Sequence, residues 1–512
     1  MDTQPTKYVY LTRREWAIFL TCWIVYLFHL GPVPGVNENR YLNLARSIVD
    51  EGRLTIDRYH YNTVDKAYTD GHYYAGAAPG PAFLALPIYA LFKMGMPKAS
   101  RTFFGQYDVG TYIRQNLGGV NAPDEFIQRY PFAEFLIFHM ISTALICGVL
   151  MALIVVLLYR LLGWIGVGER ERLIVLAIYA FGTITFFYAT RLYSHVPSTF
   201  FVFSAFVLLF AIRHRGLNGS WPIVAGLSLG MSALMEYASA PVLLVVGIYG
   251  LLVLKQPRRM IPFIIAAIIP VIGLAIYQAV CFGSPFATPY SFGTAPEDIG
   301  VHVVHVGGWG GFGLPTFASI WGVTFSLYRG IFAYMPVLIW AVFCGIRQSF
   351  DRTDAYRFEW KIILAIFGLQ ILFNSSMMQF WSGGFVWGPR YLIPVIPFLI
   401  IPMAYHFNKK WSSSIIIITG LFSILINWTG VQYIIPQNAL GAVPMFFLSG
   451  LTSQLYQFLE LYFHTYANWN VQVSALGGWM ILGLIIVFIW LIETRFFTIK
   501  TSSDGVEEGH TR

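Results

Sequence analysis

The chain has 512 residues, of which 56% are hydrophobic and 11% charged, against roughly a quarter charged in an ordinary soluble domain. So much apolar surface has no place in a soluble core, and it comes in blocks long enough to cross a hydrocarbon layer, for which about 20 helical residues suffice. The net charge of +8 is spread in short clusters between these blocks and forms no basic stripe, which argues against a nucleic-acid partner and makes topology the better account of the charge.

Lys7, Arg13 and Arg14 precede an apolar run that reads as an uncleaved first span over 16–33, behind a cytoplasmic N-terminus at 1–15. No small-residue cleavage site follows the run. A long polar segment over 34–133 comes next. At its start Tyr41, Leu42, Leu44, Ala45, Ile48 and Val49 share one side of a helical wheel, and Asn39, Arg40, Asn43, Arg46, Ser47 and Asp50 share the other. This pattern predicts an amphipathic helix lying on the membrane, ended by Gly52. The apolar stretch from Pro81 to Met96 is short for a span and sits between charged flanks, so an interfacial or re-entrant helix is expected there. Were it to span, every later orientation would reverse.

Further apolar blocks predict spans near 134–159, 173–189, 197–212, 221–236, 238–254, 261–281, 331–346, 361–376, 391–406, 412–433 and 477–493. The connections bearing Arg170 and Arg172, Arg213 and Arg215, Lys255 with Arg258 and Arg259, Arg347 with Arg352 and Arg357, and Lys409 with Lys410 then fall on the N-terminal side. By the positive-inside rule that side is cytoplasmic, and both termini lie there. The opposite side receives the loops at 34–133, 282–330 and 434–476 and the short joins at 191–195 and 379–390. The expected fold is therefore an all-α polytopic membrane protein of about 12 transmembrane helices, with a multi-span domain over 134–493, amphipathic juxtamembrane helices in its large first loop and a cytoplasmic tail over 494–512. Cys22, Cys147 and Cys344 lie inside apolar runs and Cys281 at the end of one, spacings that imply neither a disulfide framework nor a metal site.

Polar chemistry is expected at the outer face. Asn37 and Glu38 stand where the first span leaves the membrane. Their structural reading is a helix cap and a complement to the helix dipole, and their functional reading is a general base, Glu38, beside a site between loop and bundle. Asp57, Asp65, Asp70 and His72 follow in a segment rich in Tyr, Thr and Gly, with Asp70 and His72 favoured for the site because the Ala77–Pro81 turn follows closely. Arg191, Tyr193, Ser194 and His195 occupy a very short outer join, where an arginine either snorkels to the interface or meets a lipid phosphate. Glu236 lies within or at the rim of an apolar hairpin, and a carboxylate there is a functional candidate because burying it is expensive. Trp381, the Gly383–Gly384 pair, Arg390 and Tyr391 combine indole, glycine and guanidinium at the outer end of a span. An aromatic belt with an anchoring arginine is the plain account, and glycine's tolerance of close backbone approach favours a ligand site.

In order and placement these fragments resemble the membrane glycosyltransferases of the GT-C superfamily, in particular family 39, the protein-mannosyltransferase-like and aminoarabinose-transferase-like branch. The resemblance covers most of the chain. It rests on Asn37-Glu-Asn-Arg-Tyr41 and the helix after it, Asp70-Gly-His-Tyr-Tyr74 leading to Ala78-Pro-Gly80, Tyr193-Ser-His195, Glu236-Tyr237, Phe282-Gly-Ser-Pro-Phe286, Arg329-Gly330, and Trp381-Ser-Gly-Gly384 followed by Gly388-Pro-Arg-Tyr-Leu392. The resemblance implies inverting transfer of a sugar from a polyprenyl-phosphate donor to a lipid, glycan or protein acceptor on the extracytoplasmic side of a bacterial inner membrane. It leaves a divalent metal open. In that chemistry a carboxylate takes the acceptor proton while cations stabilise the departing phosphate. Two departures stand out: the family pattern opens its loop with an Asp-Glu pair where this chain has Asn37-Glu38, and a family lysine is absent, with Ala77 and Ala78 in its place. The expectation is Glu38, or an acid such as Asp70, as base, Arg390, Arg191 and His195 on the phosphate side, and Asn37, His72, Glu236, Trp381 and Tyr391 as further substrate contacts. A multi-span lipid-linked-sugar transporter or flippase is the main alternative, although transporters keep shorter loops and place charges at mid-depth. A catalytically inactive binding homologue is the third, kept open by Asn37.

Overall fold

The computed structural model describes residues 10–95, 110, 113–114, 122–129, 132–292, 311–378, 380–384, 386–407, 410–433, 438–456 and 471–503. Parts of the expected outer loops, at 96–109, 293–310 and 457–470, lie outside the described residues.

The chain is 74% helix and 2% strand, so the expected helical architecture holds apart from one small hairpin. Among the described residues seven helices are long and apolar enough to cross a membrane: Glu134–Trp164, His195–His214, Tyr237–Leu254, Pro257–Phe282, Arg357–Ser376, Ser412–Gln432 and Ala475–Thr494. Each coincides with an expected span, and together they mark the chain as a membrane protein. The other expected spans fall on shorter helices, such as α1, Arg13–Phe28, and Trp221–Met235, with 16 and 15 residues. Trp221–Met235 owes its close packing to two glycines. A Cβ on Gly226 or Gly230 would stand 2.1 or 2.2 Å from a carbonyl of helix Pro257–Phe282, the small-residue spacing by which membrane helices approach each other.

Helix His195–His214 shows how polarity is divided between the ends of the bundle. Near its C-terminus Arg213 and His214 meet buried Glu359 at 3.3 and 2.9 Å. His195, its first residue, faces the cavity described below. Those ends are roughly 27 Å apart at 1.5 Å per residue.

The helix α2, Val36–Glu51, ends at Gly52 in a left-handed conformation with φ 67°, as the sequence predicts. Its setting differs from the expectation of a polar face open to water. Asn39, Arg40, Asn43, Arg46 and Ser47 are all buried, because the following loop folds back over them and supplies partners. Asn39 donates to the Asn62 carbonyl at 2.7 Å, Asn43 to the Tyr59 carbonyl at 3.2 Å, and the Arg46 guanidinium lies 4.1 Å over the Tyr59 ring. The helix is thus sandwiched between bundle and loop, with Asn39, Asn43 and Ser47 donating to backbone carbonyls of the loop.

That loop contains the hairpin β1, Lys66–Thr69, with β2, His72–Ala75, in antiparallel register. Asp70 and Gly71 turn it with φ of 52° and 80°, the positive-φ pair of a tight two-residue turn, for which Asp-Gly is a favoured sequence. Beyond it, α3, Gly80–Gly95, is a 16-residue apolar helix, too short to count among the seven. It packs against α2, Phe132–Thr143 and Trp221–Met235.

Candidate active site

Where the loop meets the bundle lies a cavity of about 570 Å³. Its polar wall carries Arg40, Asp65, His195, Glu236, Arg390 and Tyr391. Its apolar wall is built by Phe312, Phe373, Met377 and Phe380.

Arg40 comes from α2 and Asp65 from the residue before β1, and the two side chains form a buried ion pair. Arg40 also donates to the Gly76 carbonyl at 3.4 Å and the Tyr41 hydroxyl at 2.8 Å. The absence of a side chain at Gly76 is required here, since a Cβ would come within 2.7 Å of Asp65 Oδ1. Glu236 sits in a break between Trp221–Met235 and Ala240–Leu254, with extended backbone. Its carboxylate accepts from Ser194 Oγ and from the Ala238 N–H at 3.2 Å, and His195 Nδ1 lies 3.3 Å away. Both of these hydrogen bonds come from neutral groups. Arg390 enters from the loop after Ser376 and donates to Asn37 Oδ1 at 3.3 Å and the Tyr391 hydroxyl at 3.2 Å. Both partners are neutral, and its buried Nε has none.

The loop bearing Arg390 is held from behind. Arg329, wholly buried, donates to the carbonyls of Ser382 at 2.9 Å and Tyr328 at 3.0 Å. Gly383, at φ 73°, packs against the arginine stem, where a Cβ would meet Arg390 Cγ at 3.2 Å.

Of the residues expected from sequence, His195, Glu236, Arg390 and Tyr391 face the cavity. Asn37 touches Arg390 from the first turn of α2. Glu38, next to it, is buried and accepts the Gly35 N–H at 3.1 Å; it is a helix cap and is not among the described lining residues. Arg191 is likewise structural in its contacts: its guanidinium lies against Gly31, donates to the Val33 carbonyl at 3.1 Å and reaches Gln454. Asp70 occupies the exposed hairpin turn and His72 the exposed start of β2, where it pairs with Asp57 at 2.8 Å. The Trp381 ring covers Gly322 and its carbonyl accepts from Asn374 at 2.8 Å. Arg40 was assigned only to a polar helix face by its sequence, and Asp65 ranked below Asp70. The available signal was their position in or beside Tyr- and Gly-rich segments, which does not say which way a side chain turns. Among the described residues no three of His, Cys, Asp and Glu gather at metal-ligand spacing.

No family model, characterised protein or solved structure matches this chain. The cavity therefore has to be read from its own chemistry. It offers one arginine whose hydrogen bonds are all to neutral groups, a second arginine balanced by an aspartate, a buried glutamate, and an apolar wall.

Burial pushes the Glu38 carboxyl above its ordinary value of 4.5, with Arg191, backbone N–H groups and Arg40 offsetting part of that rise. A raised folded-state value stabilises the fold below the unfolded value, and that contribution is lost as pH rises through the folded value. Glu38→Gln keeps an acceptor for Gly35 and carries no charge. Its thermal unfolding midpoint in detergent is expected to exceed that of the wild type increasingly as pH climbs past 4.5, and a pH-independent difference between the two proteins would contradict this account.

Proposed function

We propose that the chain is an integral membrane glycosyltransferase that moves a sugar from a polyprenyl-phosphate donor to an extracytoplasmic acceptor with inversion. The observation that carries this reading is a single cavity that Glu236, Arg390 and the Arg40–Asp65 pair share with an apolar wall. A lipid phosphate needs cation, greasy wall and access to an acceptor at once.

In the proposed reaction the acceptor hydroxyl attacks the anomeric carbon and its proton passes to the Glu236 carboxylate. The bond between that carbon and the phosphate oxygen breaks, and its electron pair stays on the phosphate. Arg390 and Arg40 stabilise that charge, a role for which preorganised donors in a water-poor site are effective. Glu236 is preferred to Asp65 as base because the Asp65 carboxylate is already engaged by the Arg40 guanidinium. Glu236 is preferred to Glu38 because it faces the cavity.

The positive-inside reading puts the basic connections and both termini in the cytoplasm, the cavity outside, and the expected dozen spans across a bacterial inner membrane. A transporter is expected to hold its substrate near mid-depth. Here the lining residues include the first residue of His195–His214 and a residue from the last turn of Arg357–Ser376, Phe373, which favours surface chemistry over passage.

The test uses membranes bearing the overexpressed chain and the native acceptor, supplied with radiolabelled polyprenyl-phosphate hexoses and pentoses. Release of free polyprenyl phosphate with label passing to lipid, glycan or protein is expected. Movement of intact donor across the bilayer without its consumption would instead make the chain a flippase.

A further inference from the structure

Behind the cavity, helix Arg357–Ser376 carries Gln370, which is 0% exposed. Its amide nitrogen donates to two carbonyls, that of Ala238 at 2.8 Å and that of Tyr391 at 2.9 Å. Those carbonyls belong to the two segments from which the acid and the cation of the cavity hang. The Ala238 backbone is held at both its polar groups, its N–H donating to Glu236 Oε1 at 3.2 Å and its carbonyl accepting from Gln370. Tyr391 directly follows Arg390, and its hydroxyl accepts from Arg390 Nη2 at 3.2 Å.

Neither segment has a regular helix to hold it. Glu236 is extended, at φ −157° and ψ 122°, and Arg390 opens a short 3-10 turn after Pro389. The two N–H groups of one primary amide diverge in a fixed plane, so a single side chain ties both segments at a set spacing. Gln370 is not among the described residues lining the cavity, and so has no direct part in binding a substrate.

We propose that Gln370 is a positioning residue that fixes the separation between Glu236 and Arg390, an inference that rests on the glycosyl-transfer reading above. Only a side chain with two donors of this reach does the work. Leucine offers none, and asparagine, a methylene shorter, cannot reach both carbonyls. The consequence is specific to the reacting geometry, because a displacement of about 1 Å costs on the order of 100-fold in rate.

The experiment compares wild type, Gln370→Leu, Gln370→Asn, Glu236→Gln and the Glu236→Gln/Gln370→Leu double variant, each as the full chain in native membranes with radiolabelled polyprenyl-phosphate hexose and pentose donors. Gln370→Leu is expected to lower kcat on the order of 100-fold with the donor KM unchanged, and Gln370→Asn to show the same split should the leucine variant fail to fold. In the Glu236→Gln background Gln370→Leu is expected to remove clearly less than it does in the wild type, since only the Arg390 side of the spacing still matters, whereas a merely structural residue adds its full loss in both backgrounds. Wild-type kcat in both Gln370 variants, a KM rise with kcat unchanged, or additive losses would each overturn the positioning role while leaving the transfer reading intact. A wild type that consumes no donor would overturn the transfer reading itself, and this inference with it.

Discussion

Glu236→Gln is expected to reduce donor consumption roughly 10²–10⁴-fold, the range by which a positioned general base accelerates proton transfer. The substitution leaves the size of the side chain unchanged and retains an oxygen to accept from Ser194 or the Ala238 N–H, the two donors that hold the carboxylate. The fold is therefore expected to survive and the donor still to bind, because Arg40 and Arg390 are untouched. Glu38→Gln, in the same assay, is expected to retain turnover, since Glu38 caps α2 through Gly35 and does not face the cavity. The pair of variants thus separates the two acids by role. Wild-type turnover in Glu236→Gln together with loss in Glu38→Gln would transfer the base to the helix cap. A wild type that retains polyprenyl phosphate yet never releases it from a sugar would make the chain a binding homologue, the reading that Asn37 kept open.

Arg40→Gln is expected to cost about 3–5 kcal/mol of stability, the usual penalty for leaving one member of a buried ion pair without its partner. Asp65 is buried beside it and loses its paired cation once the guanidinium is gone. Adding Asp65→Asn removes the stranded charge, so the double variant is expected to recover much of the loss. An exposed pair gives the comparison. Arg58 meets Glu51 at 3.3 Å with the arginine side chain 68% exposed, and Arg58→Gln is expected to cost no more than about 1 kcal/mol. Thermal unfolding in one detergent checks all three. Equal shifts for Arg40→Gln and Arg58→Gln would mean that the Arg40–Asp65 pair is hydrated after all.

Much of the architecture was legible in advance because hydrocarbon thickness imposes a length on apolar runs, and among the described residues every helix long enough to span falls on a run read from the sequence. The end of α2 was legible for an equally local reason, the left-handed glycine at 52. Wheel geometry failed at the next step. It divided α2 into two faces, yet a polar face is open to water only if nothing else covers it, and here the loop over 55–62 supplies the carbonyls that Asn39 and Asn43 require. The same limit decided between Asp65 and Asp70. Both precede or end a strand of one hairpin, but Asp70 belongs to its exposed turn and Asp65 to the end anchored on Arg40. Glu236 and Arg390, which line the cavity, stood out in the sequence because an ionisable group at the rim of an apolar run is costly and conspicuous. The cap that Glu38 makes through Gly35 is local and was among the readings of that position, whereas the bracing roles of Arg191 and Arg329 depend on the Val33 and Ser382 carbonyls far away in the chain, to which no local pattern points.

The Asn37–Arg390 contact joins residues 353 positions apart. A ribosome therefore delivers the aspartate half of the pocket early and its last guanidinium only after three quarters of the chain has been made. The Arg40–Asp65 pair lies wholly within that early part, so its charges balance without anything made later. A chain that stops before Arg390 has the first half of the pocket and no means of closing it.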